Sequence, residues 1–232
     1  MMHFLSFFSV LSYFQNKKYL KIAHRGYWYN KKLQNTIESF KNAIEKNFDM
    51  IELDIQLCKS GEIVVYHDLY IENKFIKDID LEDLPDYVPT IDNVIKNINV
   101  KEIPLYLDLK GDTYLSNKLY NYLVPQHIDL LDNLYIASFN TYHLEIFKKS
   151  PYNFKLGFIT QNCLQYNELK PILKDLNFIC VHWSMLNKDF VHNCNLFNVK
   201  VFTYTCKDDI IHNLIKEYNI DGIVSDIILN DD

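Results

Sequence analysis

The chain has 232 residues, of which 48% are hydrophobic and 15% aromatic, so it is long and apolar enough to bury a sizeable core. Its formal net charge of −6 argues against a nucleic-acid partner, because nucleic-acid-binding domains carry a basic footprint. The five cysteines show no CxxC spacing, which excludes the usual zinc-site and disulfide-framework patterns. One domain spanning residues 1–232 is expected at this length.

The first predicted element is an apolar helix within residues 1–20, whose large side chains recur at positions 4, 7, 8, 11 and 14. The segment lacks a basic n-region and a small-residue cleavage site, and its apolar part is too short to span a bilayer. We expect it to cover one end of the fold in a cytoplasmic protein. The alternative is a membrane-associated protein, held weakly on the lipid through residues 1–16.

Apolar, β-branched runs then alternate with amphipathic helical patterns, which is typical of a parallel α/β sheet. Strands are predicted near residues 21–25, 50–56, 104–109, 134–138, 155–159, 178–182, 200–204 and 222–226. A turn signal at Ser60-Gly61 makes residues 63–67 the return strand of a hairpin, outside this count of eight. The pattern therefore predicts a (β/α)8 TIM barrel with a β-hairpin excursion after its second barrel strand.

Helical patterns fill the intervals between these strands. The first begins at Asn35-Thr36, a good N-cap pair, and is expected to bury Ile37, Phe40, Ala43 and Ile44. The others lie near residues 91–99, 114–123, 141–149, 166–175, 185–195 and 208–218.

Ionisable side chains end three of the apolar runs, where charge is unfavourable unless it has a function. They are His24 and Arg25 on the first strand, Glu52 and Asp54 on the second, and Asp108 and Lys110 on the third. In an eight-stranded barrel the C-terminal ends of the strands share one face, and chemistry takes place there. The sequence thus predicts a single site built from three strands.

The spacing of Glu52 and Asp54 points to a metal. Residues i and i+2 of a strand face the same side, and two adjacent carboxylates raise each other's pKa. A hard divalent cation relieves this repulsion, since Mg²⁺ and Ca²⁺ prefer oxygen ligands. We therefore expect one such cation, with Asp108 as a third ligand, and the hairpin would bring His67 level with Asp54.

Four segments at this spacing resemble the glycerophosphodiester phosphodiesterase family: His24-Arg25-Gly26, Gln34-Asn35-Thr36, Glu52-Leu53-Asp54 and His67-Asp68. The resemblance extends more diffusely through residues 105–110, 201–203 and 221–226, and covers residues 20 to 228. Three residues depart from the family pattern. Gln34 and Asp108 each stand where the family usually has Glu, and Phe202 stands where it usually has Trp.

The resemblance implies a phosphoric diester hydrolase that converts small-molecule glycerophosphodiesters to glycerol 3-phosphate and an alcohol. It implies His24 as base and His67 as acid, with a cyclic phosphate intermediate. Arg25 and Lys110 would bind the phosphate, and the cation would lie on Glu52, Asp54 and Asp108. Around these residues, or at the mouth of the barrel, we expect Gln34, Asn35, Trp183 and Phe202.

Two alternative functions remain open. The apolar N-terminus favours a lysophospholipase D, which would act on lysoglycerophospholipids that keep one acyl chain. Gln34 and Asp108 are the support for a catalytically weakened barrel that only binds phosphodiesters or a partner protein. The sequence carries no pattern that indicates an oligomeric state.

Overall fold

The computed structural model describes residues 19–162 and 164–230. The helix predicted at the N-terminus therefore lies outside the described residues, apart from its last two positions. The described strands are β1 (Leu20–Ala23), β2 (Met50–Leu57), β3 (Ile63–Val65), β4 (Tyr70–Ile71), β5 (Lys74–Phe75), β6 (Leu105–Leu109), β7 (Leu134–Ser138), β8 (Lys155–Thr160), β9 (Phe178–His182), β10 (Lys200–Cys206) and β11 (Gly222–Ser225).

Eight of these strands close into a parallel barrel in the order β1-β2-β6-β7-β8-β9-β10-β11. Closure comes from β1, which pairs in parallel with β2 on one side and with β11 on the other. Each of the eight strands predicted from the sequence is present, with boundaries that differ by at most two residues. The predicted (β/α)8 architecture is confirmed.

The predicted hairpin is also confirmed. β3 pairs antiparallel with the end of β2, with Ile55 opposite Val65, and so lies outside the barrel wall. The side-chain amide of Gln56 donates 2.8 Å hydrogen bonds to the main-chain oxygens of Tyr66 and Asp68. These bonds tie the segment that carries His67 to the second barrel strand.

The helices lie between the barrel strands and are short. They are α1 (Ile37–Glu45), α2 (Ile91–Asn97), α3 (Tyr114–Gln126), α4 (Glu145–Lys148), α5 (Tyr166–Leu173), α6 (Lys188–Leu196) and α7 (Asp209–Ile215). Every helix predicted between the strands has a counterpart here. Within the described residues, no helix has the length and apolar character needed to cross a membrane.

Helix α1 begins as predicted, because Thr36 is its N-cap and forms a capping box with Ser39. The prediction that Ile44 is buried is wrong, since its side chain is 42% exposed. At 100° per residue, Phe40 and Ala43 lie at the centre of the buried stripe, and Ile44 falls on its flank.

Alternation along β2 places the acids inside the barrel. Ile51, Leu53 and Ile55 are fully buried and belong to the core between barrel and helices. Glu52 and Asp54 therefore face the barrel interior, as the two-residue period predicts. A second apolar cluster fills that interior below them; it includes Met50, Tyr106, Phe178 and Phe202.

Candidate active site

One cavity opens at the C-terminal ends of the barrel strands. All seven ionisable residues predicted for catalysis, phosphate binding or metal binding line it: His24, Arg25, Glu52, Asp54, His67, Asp108 and Lys110. These residues come from four separate segments of the chain. Barrel closure and the β2–β3 hairpin bring them together.

Three carboxylates form a buried cluster on the wall of this cavity. Glu52, Asp54 and Asp108 each offer one oxygen, and these oxygens lie within 4.8 Å of one another. Asp54 and Asp108 are register partners on β2 and β6. The Oδ1 atom of Asp108 is buried and accepts no hydrogen bond. An all-oxygen donor set with a buried, unpaired acceptor fits a hard divalent cation.

The charges of the three acids are not independent. Burial raises the pKa of Glu52 well above its ordinary range, and Asp54 and Asp108 raise it further. Burial also raises the pKa of Asp108 to about 7, against the opposing effect of Lys110. Burial alone would raise the pKa of Asp54 as well, but Lys110 and Arg25 outweigh it and lower that pKa. Added positive charge in the cluster would therefore favour the ionised form of Glu52 and Asp108.

Arg25 links the first strand to the acids. Its main-chain N–H donates a 2.8 Å hydrogen bond to Oε2 of Glu52, and its Nη1 donates one of the same length to Oε1 of Gln34. Its Nε lies 3.3 Å from Oδ2 of Asp54 without making a hydrogen bond. Gln34, although uncharged, thus still anchors the guanidinium.

Asn35 fixes the orientation of Asp54. Its Nδ2 donates to Oδ2 of Asp54 at 2.9 Å, and its Oδ1 accepts from the main-chain N–H of Asp54 at 3.1 Å. Asn35 has φ = 58°, in the left-handed region that asparagine tolerates better than most residues. Both Gln34 and Asn35 therefore lie next to the predicted site residues.

Lys110 spans two of the acids. Its Nζ donates to Oδ2 of Asp108 at 2.5 Å and lies 3.2 Å from Oδ1 of Asp54. Burial opposes its charge, but Asp108 and Asp54 prevail and raise the pKa of Lys110. The ammonium also lies 5.2 Å from the centroid of the Phe139 ring. Lys110 is therefore a permanent positive charge in the cavity wall.

Each of the two histidines is paired with a carboxylate through Nδ1. His24 Nδ1 lies 2.6 Å from Oδ1 of Asp226, and His67 Nδ1 lies 2.7 Å from Oδ1 of Asp68. Burial lowers the pKa of His24, although the hydrogen bond to Asp226 partly offsets this. The His24 side chain is 15% exposed and that of His67 39% exposed. His67 is therefore the histidine nearer to solvent.

Sequence reasoning missed Asp226 and Tyr204 as residues of this site. A signal existed for both, because Asp226 ends the predicted eighth strand and Tyr204 ends the predicted seventh. Phe202, expected near the site or at the mouth, is fully buried in the barrel interior and contacts Phe178 at 4.9 Å between ring centroids. Trp183 packs against the core on the helix side and does not line the cavity.

Comparisons with known proteins agree with this geometry. The family model described as the glycerophosphoryl diester phosphodiesterase family matches residues 24–229. A glycerophosphodiester phosphodiesterase of Caldanaerobacter subterraneus subsp. tengcongensis is 29% identical, over 90% of this chain and 94% of its own length.

Solved structures share the fold. A glycerophosphodiester phosphodiesterase from Parabacteroides distasonis superposes with a TM-score of 0.79 at 23% identity, over 91% of this chain and 94% of its own. An Oleispira antarctica phosphodiesterase, solved in complex with the product sn-glycerol-3-phosphate, gives a TM-score of 0.76 at 21% identity, over 90% of this chain and 93% of its own.

Proposed function

This chain belongs to the glycerophosphodiester phosphodiesterase family, and from that membership we propose that it hydrolyses glycerophosphodiesters to glycerol 3-phosphate and an alcohol by two-histidine catalysis with one divalent cation. The observation that carries the proposal is the buried, unpaired Oδ1 of Asp108 within a cluster of three carboxylates. Arg25 and Lys110 adjoin this cluster. His24 and His67, which come from different segments of the chain, also line the cavity.

Glu52, Asp54 and Asp108 would hold the cation, Mg²⁺ or Ca²⁺. When bound, the cation would neutralise charge on a phosphate oxygen and lower the pKa of a glycerol hydroxyl. The protein's own contribution is to keep the three oxygens together at low exposure, with Asn35 holding Asp54 and the Arg25 main chain holding Glu52.

Arg25 and Lys110 would bind the phosphate group of the substrate. Arg25 is held by Gln34 through Nη1, and its Nε lies beside Asp54, which leaves Nη2 to donate to a phosphate oxygen. Lys110 supplies a point charge at the end of β6, on the other side of β2 from Arg25. The sn-glycerol-3-phosphate bound by the Oleispira antarctica phosphodiesterase supports a phosphate site in this cavity.

His24 is the base of the first half-reaction. Its lowered pKa keeps the ring neutral at physiological pH, and Asp226 on Nδ1 leaves Nε2 to accept a proton. His24 takes the proton of the glycerol 2-hydroxyl as that oxygen attacks phosphorus. The new P–O bond closes a cyclic 1,2-phosphate.

His67 is the acid of the same step. It gives its proton to the leaving alkoxide as the P–O bond to the alcohol breaks. Its greater exposure to solvent suits this role, because the alcohol leaves the cavity towards solvent. In the second half-reaction His67 takes a proton from water, whose oxygen attacks phosphorus. The bond to the glycerol 2-oxygen then breaks, and His24 returns the proton to it.

The test is an assay of the purified chain with glycerophosphocholine and glycerophosphoethanolamine, in which released glycerol 3-phosphate is measured. We expect turnover with Mg²⁺ or Ca²⁺, none after EDTA, and recovery when the cation is restored. No release of glycerol 3-phosphate from either substrate under any cation would overturn the proposal. Full turnover in metal-free protein would overturn the cation alone.

A lysophospholipase D is the second candidate, and the entrance to the cavity favours it. Leu69 and Phe139 are 47% and 45% exposed, and Phe139 lines the cavity. Leu69 also lies beside Gly111, directly after Lys110. An acyl chain bound near these side chains would bury apolar surface. A kcat/KM for a lysophospholipid at or above that for glycerophosphocholine would favour this candidate.

A further inference from the structure

Three buried side-chain nitrogen or oxygen atoms in residues 19–162 and 164–230 lack a hydrogen-bond partner: Arg25 Nε, Asp108 Oδ1 and Tyr204 Oη. All three residues line the same cavity. Buried polar atoms in folded proteins are nearly always paired, so three orphans around one cavity indicate partners that a ligand supplies. The proposed function uses Arg25 and Asp108, but it gives no role to Tyr204.

The ring of Tyr204 is held in place from two sides. It meets the Phe139 ring edge-on at 6.0 Å between centroids and the His182 ring at 5.5 Å, with interplanar angles of 89° and 85°. The same ring packs against the apolar cluster of the barrel interior. Its hydroxyl is therefore fixed in direction, as a preorganised binding group has to be.

The surroundings of Tyr204 suit a hydrogen-bond donor to an anion. Phe139, which contacts the Tyr204 ring, also lies under the ammonium of Lys110 at 5.2 Å. Burial raises the pKa of Tyr204, so the hydroxyl keeps its proton at every physiological pH. A neutral O–H next to a fixed cation complements a phosphate oxygen without adding charge.

We propose that Tyr204 is a substrate-binding residue whose phenol hydroxyl donates a hydrogen bond to a non-bridging oxygen of the bound phosphate group. The inference rests on the proposed function, because it takes the ligand to be a phosphodiester or its phosphate product. It adds a neutral donor to the two cationic phosphate-binding residues Arg25 and Lys110.

The decisive variant is Tyr204→Phe, which removes Oη and keeps both ring contacts. The dissociation constant of glycerol 3-phosphate is measured by calorimetry on the full chain at saturating Mg²⁺, and inorganic phosphate serves as a second probe. We expect both constants to rise about 10- to 150-fold, the size of one hydrogen bond to a charged acceptor. The dissociation constant of Mg²⁺, measured alone, should stay within about twofold.

Tyr135→Phe is the matched control. Tyr135 also faces the barrel interior, against Phe178 and Phe202, but it does not line the cavity. We expect this variant to bind both phosphate ligands as the wild type does. Thermal unfolding should give Tyr204→Phe a Tm equal to or above that of the wild type, because the lost hydroxyl has no protein partner.

Unchanged phosphate binding in Tyr204→Phe would overturn the inference. A rise confined to glycerol 3-phosphate would overturn it too, since the contact would then be to the glycerol. A weaker affinity of Tyr204→Phe for Mg²⁺ would also overturn the inference, because Oη would then act by positioning the proposed cation ligand Asp108. The binding measurements do not require turnover. A wild type that binds glycerol 3-phosphate but hydrolyses no glycerophosphodiester would refute the proposed function, and the effect of Tyr204→Phe on binding could still be measured.

Discussion

Oδ1 of Asp226 lies 2.6 Å from Nδ1 of His24, although 202 positions separate the two residues in the chain. The contact forms because β1 and β11 are neighbours where the barrel closes. A carboxylate on Nδ1 fixes the tautomer and the orientation of an imidazole. It also stabilises the imidazolium, so it raises the pKa of His24 against the effect of burial.

Asp226→Ala should lower kcat for glycerophosphocholine by about 10- to 100-fold, because His24 loses its orientation and its support as an acid. The pKa of His24 should fall further below its ordinary value, since the variant removes the carboxylate that raises it. NMR titration of the imidazole measures this directly.

Asp226→Glu is the conservative control, and it should recover part of kcat. A His24 that titrates at the same pH in Asp226→Ala as in the wild type would show that the contact has no electrostatic effect. Unchanged kcat in the same variant would remove Asp226 from the site.

The pairing of His24 with Asp226 marks the limit of what the sequence predicts. Strands and the seven ionisable residues of the cavity could be predicted, because an apolar run with a charge at its end is a local signal. The carboxylate partner of His24 could not be predicted, since the sequence pattern of an acid after a strand is the same whether its side chain faces the cavity or solvent. Only closure of the barrel decides between them.

Tyr204 illustrates a second limit. Its position at the end of a predicted strand was visible, but the feature that matters is an absent partner for Oη, which no pattern encodes. Ile44 illustrates a third, because the width of the buried stripe on α1 depends on what packs against the helix. By contrast, the i, i+2 spacing of Glu52 and Asp54 is sufficient to predict that both side chains face the same side of β2, since strand geometry alone sets that face.

His24→Ala and His67→Ala should each lower kcat by about 10²- to 10⁴-fold, the usual size of an acid–base contribution. Both side chains line the cavity, so the fold should persist, with a Tm within a few degrees of the wild type. Steady-state kinetics with glycerophosphocholine and thermal unfolding measure the two quantities.

His192→Ala is the matched control, because His192 is exposed on α6. It should retain wild-type kcat. A His24 or His67 variant that keeps more than about a third of the wild-type kcat would remove that histidine from the acid–base pair.

Added Mg²⁺ or Ca²⁺ should stabilise the EDTA-treated protein, because the three acids converge on one point only in the folded state and the cation therefore binds that state. At a cation concentration of about 100 times Kd the gain is about 2.7 kcal/mol. For a chain of this size that raises Tm by about 5–10 °C. Asp108→Asn should lose most of this rise, and Asp108→Glu should retain it because the charged ligand remains.

Two controls separate a specific site from general screening. NaCl at the same ionic strength should leave Tm unchanged. Asp80→Asn, which removes a carboxylate from the surface pair with Lys59, should keep the full response to the cation. An equal rise in wild type and Asp108→Asn would show that Asp108 is not a ligand.

Gly26→Ala should destabilise the protein by more than its left-handed backbone alone would cost, and it should weaken phosphate binding. Gly26 has φ = 78°, and a Cβ there would lie 2.4 Å from Oγ and 2.7 Å from the carbonyl carbon of Ser39. Left-handed backbone costs about 1–2 kcal/mol for an alanine, and the contact with main-chain atoms adds to it. Ser39 Oγ donates a 3.0 Å hydrogen bond to the main-chain oxygen of Arg25. Displacing Ser39 would therefore also shift Arg25.

Gly61→Ala is the comparison that isolates the steric contribution. Gly61 also has positive φ, at 95°, but its Cβ would meet only the end of the Lys118 side chain, at 3.5 Å. It should therefore lose only the backbone cost of about 1–2 kcal/mol and keep wild-type affinity for glycerol 3-phosphate. Urea unfolding and calorimetry measure both quantities. Equal destabilisation in the two variants would show that Ser39 yields at no cost, and that Gly26 is needed only for its backbone angle.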